Sequence, residues 1–177
     1  MTEQVVLVNT SGEAIGAMEK MHAHQLGELH SAFSVFIFNA AGQMLLQQRA
    51  LNKYHSGGKW TNTCCSHPRP GEDLKSAAQR RLMEEMGMAC ELQYLFDFIY
   101  RAELDNDLIE HEYDYVFVGF SNTLPVPVPA EVADYQYISI EDLEEKLNSD
   151  PERFTAWLKI CFKQLKVNLI RFKSYKD

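Results

Sequence analysis

Basic residues are scarce in this chain: 17 lysines and arginines stand against 25 aspartates and glutamates, a formal charge of −8. General binders of nucleic acid or anionic membrane surfaces carry a net basic footprint, so neither is expected as a partner. An anionic ligand must instead meet a local cluster of basic side chains. Long apolar runs are also missing. No stretch reaches the roughly 18 apolar residues of a membrane span, and the opening MTEQVVLVNTSGE has no basic segment leading into an apolar one. These absences predict a cytoplasmic protein. Cysteine is limited to Cys64, Cys65, Cys90 and Cys161, with no C-x-x-C pair, which argues against a disulfide scaffold and for reduced thiols. No internal repeat or low-complexity tract occurs.

What is present suits one domain spanning residues 1–177, with a hydrophobic fraction of 46% and a charged fraction of 24%, enough apolar residues for a sizeable core. Alternation and β-branched or aromatic content predict strands at 5–9, 32–39 and 43–49, the last two joined by a turn over 39–42. From Glu72 to Met86, the residues Leu74, Ala78, Leu82 and Met86 recur every four positions, one face of a helix ended by Gly87. Further strands are expected at 92–101, 111–120 and 135–138, the last after the proline-rich connector LPVPVP. An acidic helix over 139–148 follows. After Asp150-Pro151 comes a long helix with the stripe Phe154, Leu158, Cys161, Leu165, Leu169 and Phe172, which should pack on the sheet. Strands alternating with a few helices predict an α+β or mixed α/β sandwich and no apolar stripe left for a partner, hence a monomer.

The residues able to do chemistry each admit two readings. On the 72–86 helix, an advance of about 100° per residue puts Glu85 and Arg81 beside the buried stripe and turns Glu84 and Arg80 outward. A fully solvated charged face is the bland alternative. Glu110 and Glu112 fall on one face of their strand with Val116 and Val118. If that face is buried, both carboxylates ionise only with a cation beside them; otherwise they mark an exposed strand end. Six histidines (22, 24, 30, 55, 67 and 111) could supply co-ligands, and imidazole with carboxylate suits Zn, Mn or Fe. Cys65 is either a small buried hydrophobe or a chemical thiol whose pKa is lowered by neighbouring positive charge or metal. His67, two residues on, favours the second. Its neighbour Cys64 points the other way if the segment is extended.

The run TNTCCSHP (61–68), the helix ending AAQRRLMEEMG and the later E-x-E together resemble type I isopentenyl diphosphate isomerases, over nearly the whole chain. The helix carries a degenerate Nudix box. Glu72, Arg80, Leu82, Glu84, Glu85 and Gly87 fit its pattern, while Ser66 replaces the first glycine and Arg81 the central glutamate. The resemblance implies a Nudix-like mixed β-sheet sandwiched between helices. It implies proton transfer by Cys65 and Glu112 on opposite faces of the substrate double bond, with Tyr100 assisting Glu112. It also implies a divalent metal, Mn²⁺ or Zn²⁺, held by His24, His30, His67, Glu110 and Glu112, with His22 as the rival for the first position. A separate Mg²⁺ would arrive with the substrate diphosphate at Glu85. Arg49, Lys53, Arg81 and Lys20 would hold that diphosphate, and the π face of Trp157 would stabilise the cation formed from the allylic or homoallylic substrate.

Two other function classes stand beside the isomerase. A Nudix hydrolase of a nucleoside diphosphate derivative would need a glutamate where Arg81 stands and gives Cys65 no role. A non-catalytic metal-binding module would lack one of the catalytic positions, yet Cys65, Tyr100 and Glu112 are all present.

Overall fold

The computed structural model describes residues 2–174, with side chains through residue 170. In chain order the elements are β1 (Gln4–Val8), β2 (Ala14–Glu19), α1 (Lys20–Leu26), β3 (His30–Phe38), β4 (Met44–Arg49), β5 (Trp60–Thr61) and β6 (Cys64–Ser66). Then follow α2 (Leu74–Met86), β7 (Leu92–Glu103), β8 (Ile109–Phe120), β9 (Val132–Ile138), α3 (Ile140–Ser149) and α4 (Ala156–Ser174). β2 and α1 leave little trace in the sequence, because β2 is mostly exposed and α1, at 7 residues, is too short to show a period.

The strands form one mixed sheet. β3 pairs in parallel with β8 and antiparallel with β1, β4 and β6, while β7 extends the sheet antiparallel to β8. β3 is buried at every position, so it is covered on both faces. Its alternation sorts the core into two layers. Phe33, Val35 and Ile37 join Leu45, Cys64 and the α2 residues Ala78, Leu82 and Met86. Phe36 and Phe38 join Met44, Leu46, Val116, Val118 and the α4 residues Leu158, Cys161 and Leu165. Truncating a fully buried side chain such as Leu82 to alanine would cost about 2–5 kcal/mol.

α2 begins two residues later than its apolar period suggests, because Asp73 is the N-cap and its carboxylate accepts the Ser76 N–H at 2.9 Å. It ends at Gly87, whose φ of 61° suits glycine and where a Cβ would lie 2.5 Å from the Val126 carbonyl oxygen. The proline-rich connector does more than connect. Val126 N–H donates to the Met86 carbonyl at 2.8 Å and Val128 N–H to the Glu85 carbonyl at 2.9 Å, which satisfies two orphan acceptors at the helix end. Phe154 of the predicted stripe precedes α4 and bridges to Trp60. Phe172 lies outside the described side chains. Among the described residues no helix is long and apolar enough to cross a membrane.

Candidate active site

A polar row runs across the sheet at one end of the second layer. β-Pairing sets His30 opposite Glu112, and Glu112 opposite Tyr100, so three neighbouring strands deliver these side chains to one face. The strand period adds Glu110 and Asp114 on either side of Glu112, and all three carboxylates are buried. On the other flank of β3, Cys65 of β6 sits opposite Ser34 on the same face, while Cys64 is fully buried in the layer under α2. The extended backbone of β6 therefore separates the two thiols as the alternation anticipates.

Three imidazoles converge on Glu112. His67 Nε2 lies 2.9 Å from Glu112 Oε1 and 3.2 Å from His30 Nε2. His24 is fully buried, with Nδ1 against the Lys20 carbonyl at 2.7 Å and Nε2 without a hydrogen-bond partner. Its rival His22 is exposed. Donor atoms of His24, His30, His67 and Glu112 lie within 4.8 Å of one another, as do those of His24, His55 and Glu110. Nδ1 of His24 and Nδ1 of His30 both face carbonyls and so carry the protons. That leaves the Nε2 lone pair of His24 without a partner and sets Nε2 of His30 against Nε2 of His67, around a space that a cation would fill. Burial holds His67 down to about 4, so it too offers a neutral ring. The donor set thus fits a divalent metal ion.

Protonation separates the two adjacent glutamates. Burial and the charge of Glu112 push the Glu110 carboxyl well above its usual range. Burial would raise Glu112 as well, but the neighbouring His30 and His67 rings together outweigh it and hold that carboxyl well below. The Tyr100 hydroxyl lies 2.6 Å from Glu112 Oε2 and 2.9 Å from Glu110 Oε2. A phenol has a single proton and cannot serve both. It donates to the ionised Glu112, and protonated Glu110 donates to the phenol oxygen. Burial, then the two carboxylates, hold the Tyr100 proton in place.

Cys65 stands among carboxylates as well as basic groups. Burial pushes its thiol well above the ordinary value, and Glu85, Glu110 and Glu112 add to this against the opposing charge of Arg49. It is a protonated thiol, suited to give up a proton rather than to act as a resting thiolate. It lines one pocket with Tyr100, Glu110, Glu112 and Trp157. The Trp157 indole N–H donates to Asn62 at 3.2 Å, and the Arg49 guanidinium lies 5.2 Å from the ring centroid.

The basic side chains gather at the same pocket. Lys20, Arg49, Lys53 and Arg81 line it together with Glu85. Arg81 donates to Glu85 at 2.6 Å, and Gln47 donates to the other oxygen of Glu85 at 2.8 Å. Burial works against the Arg81 charge, but Glu85, Glu84 and Glu131 together more than offset it and Arg81 stays charged. Glu84 is exposed and also accepts from Arg80, as the helical geometry requires. Lys20 pairs with Glu3 at 3.2 Å.

Three pocket residues escaped the sequence reading, Gln47, Tyr54 and Glu131, and His55 figured there only as one of six possible co-ligands. Glu131 pairs with Lys53 and accepts from Arg81 at 3.2 Å; no local pattern announces it. Gln47 did leave a signal, being a polar residue 2% exposed inside the apolar strand MLLQQR.

The NUDIX domain family matches residues 28–158. The chain is 50% identical to the isopentenyl-diphosphate Delta-isomerase of Pectobacterium atrosepticum over 97% of its own length and 96% of the relative's. It is 53% identical to the enzyme of that name from Burkholderia multivorans over 89% of each. Among solved structures, DR0079 from Deinococcus radiodurans superposes with a TM-score of 0.77 at 17% identity, covering 92% of this chain and 98% of that one. A MutT protein from Methanosarcina mazei gives 0.65 at 20% identity over 78% and 93% of the two chains. At these identities the structures speak for the fold.

Proposed function

Because the chain belongs to the Nudix family and, within it, to the isopentenyl-diphosphate Delta-isomerases, we propose that its pocket interconverts isopentenyl and dimethylallyl diphosphate. The observation that carries the mechanism is that the Cys65 thiol and the Glu112 carboxylate line one pocket, where burial pushes the thiol up and the His30 and His67 rings hold the carboxyl down. Cys65 gives its proton to the terminal carbon of the alkene, which leaves a tertiary carbocation-like centre. Glu112 takes a proton from the methylene on the other side, and the double bond moves. The thiolate and the carboxylic acid then exchange protons with water to restore the resting forms, and in the reverse direction the roles swap. Tyr100 holds Glu112 through its hydroxyl, and Trp157, fixed by Asn62, turns its π face to the cation.

His24, His30, His67, Glu110 and Glu112 would hold a divalent ion, Mn²⁺ or Zn²⁺, which when bound offsets the negative charge of the two carboxylates and fixes their position. Glu85, oriented by Gln47 and Arg81, would take the Mg²⁺ that accompanies the diphosphate. Arg49, Lys53, Arg81 and Lys20 supply the positive charge that an overall acidic chain must concentrate to bind such a ligand. Residues 1–177 act as one domain and as a monomer in the cytoplasm, on a small-molecule diphosphate rather than nucleic acid or membrane.

Hydrolysis of a nucleoside diphosphate derivative is disfavoured by Arg81, which ion-pairs with Glu85 where a hydrolase of this fold would place a further carboxylate. The purified protein, given Mg²⁺ and isopentenyl diphosphate in deuterated water, should form dimethylallyl diphosphate and incorporate deuterium at carbon. Release of phosphate without exchange would replace the isomerase with a hydrolase.

A further inference from the structure

His55 sits in the segment between β4 and β5, and nothing above gives it a task. It is 4% exposed. Its ring stacks 6.0 Å from that of His24, and its Nε2 lies 3.5 Å from Glu110 Oε1. Its donor atom lies within 4.8 Å of those of His24 and Glu110, a second group that shares only His24 with the cluster around Glu112. An imidazole nitrogen has one lone pair and cannot serve two ions. A single ion beside His24 would draw on both groups and so would take His55 as well.

The local chemistry prepares His55 for that task. Its Nδ1 engages the Ser56 hydroxyl at 3.3 Å, which turns the other ring nitrogen, Nε2, toward Glu110. The segment is held in place rather than draped. Arg49 Nη2 donates to the His55 carbonyl at 3.2 Å, and Ser56 has a φ of 51°, in the left-handed region. A Cβ at Gly57 would lie 2.5 Å from the Leu51 carbonyl oxygen. Tyr54 meets the His55 ring edge-on at 4.4 Å and Trp157 at 5.9 Å, so the ring has little freedom to turn away.

We propose that His55 is a sixth protein ligand of the divalent ion held by His24, His30, His67, Glu110 and Glu112. The inference rests on the metal reading given above and adds a consequence to it. An ion with six protein donors keeps no position for water. It acts by fixing its carboxylates, not by activating a solvent molecule or binding the diphosphate.

Mn²⁺ alone serves as the probe. In the wild-type protein, electron spin-echo spectroscopy should count four coordinated imidazoles, and the bound ion should relax solvent protons weakly because it holds no exchangeable water. His55→Gln should weaken Mn²⁺ binding by about 10–100-fold and raise proton relaxation as water enters. His22→Gln, at an exposed position, should change neither. His67→Gln should reduce binding at least as much, and the thermal transitions of the metal-free variants report their folding. Three imidazoles in the wild type, or a His55→Gln protein that matches wild type in affinity and relaxation while His67→Gln loses binding, would overturn the role of His55 and leave the five-residue site intact. A wild-type protein that binds no Mn²⁺ and shows no response in either variant would remove both the site and the inference.

Discussion

Cys64 and Cys65 are neighbours on one short strand and face opposite layers of one sheet. Burial raises both thiols, yet their company differs. Cys64 packs with Leu82, Met86 and Phe33 under α2, where shape and apolar area decide what is tolerated. Cys65 shares its pocket with Arg49, Glu85, Glu110 and Glu112, where charge and proton placement decide. The same sheet thus holds a mainly apolar core on one face, with Glu85 at its edge, and, one residue away, a polar site. The alternation of strand side chains keeps the two apart.

The most severe way to probe that contrast is Cys65→Ala, which should lower kcat by about 10²–10⁴-fold or more, with little change in the thermal midpoint. Equal losses at Cys64 and Cys65 would erase the distinction. Glu112→Gln should cost about 10²–10⁴-fold in kcat on the same face and weaken the divalent ion too, measurable by Mn²⁺ titration. On the opposite face, Leu82→Ala should lower unfolding free energy by about 2–5 kcal/mol in urea while kcat per folded molecule holds. A large kcat defect there would mean that the two layers are mechanically coupled. Tyr100→Phe should be milder, about 10–100-fold in activity, because it removes the hydroxyl that holds Glu112 and leaves the ring in place. Cys64→Ala is the smallest perturbation, about 1 kcal/mol of stability from one deleted buried group, with turnover close to wild type.

What could be read from sequence depended on whether a residue's surroundings are local. The four-residue period of α2 correctly turned Leu82 and Met86 inward and placed Glu85 beside them, since a helix fixes relative directions within two turns. The alternation in β8 likewise put Glu110 and Glu112 together. Residues brought in by register between distant strands were beyond such patterns. Nothing near position 131 says that its carboxylate meets Arg81 and Lys53, and nothing near position 55 says that its ring stacks on His24. The surroundings of Cys65 have the same non-local origin: the sequence shows a histidine two residues on, while burial and three carboxylates from α2 and β8, which push the thiol up, come from distant segments. The chemistry at Cys65 became readable only through resemblance to a family.

Gly87 has the least chemistry of any residue near the pocket, yet it works as a spacer gauge. The Val126 carbonyl presses where its side chain would be, and the strand of chain that includes Val126 and Val128 runs on directly to Glu131. The bare Cα of Gly87 thus lets the loop that leads to Glu131 close directly on the end of the helix that carries Glu85, so both jaws of the anion pocket share one seam. Adding a methyl group there would shift one jaw of that grip without touching any charged group.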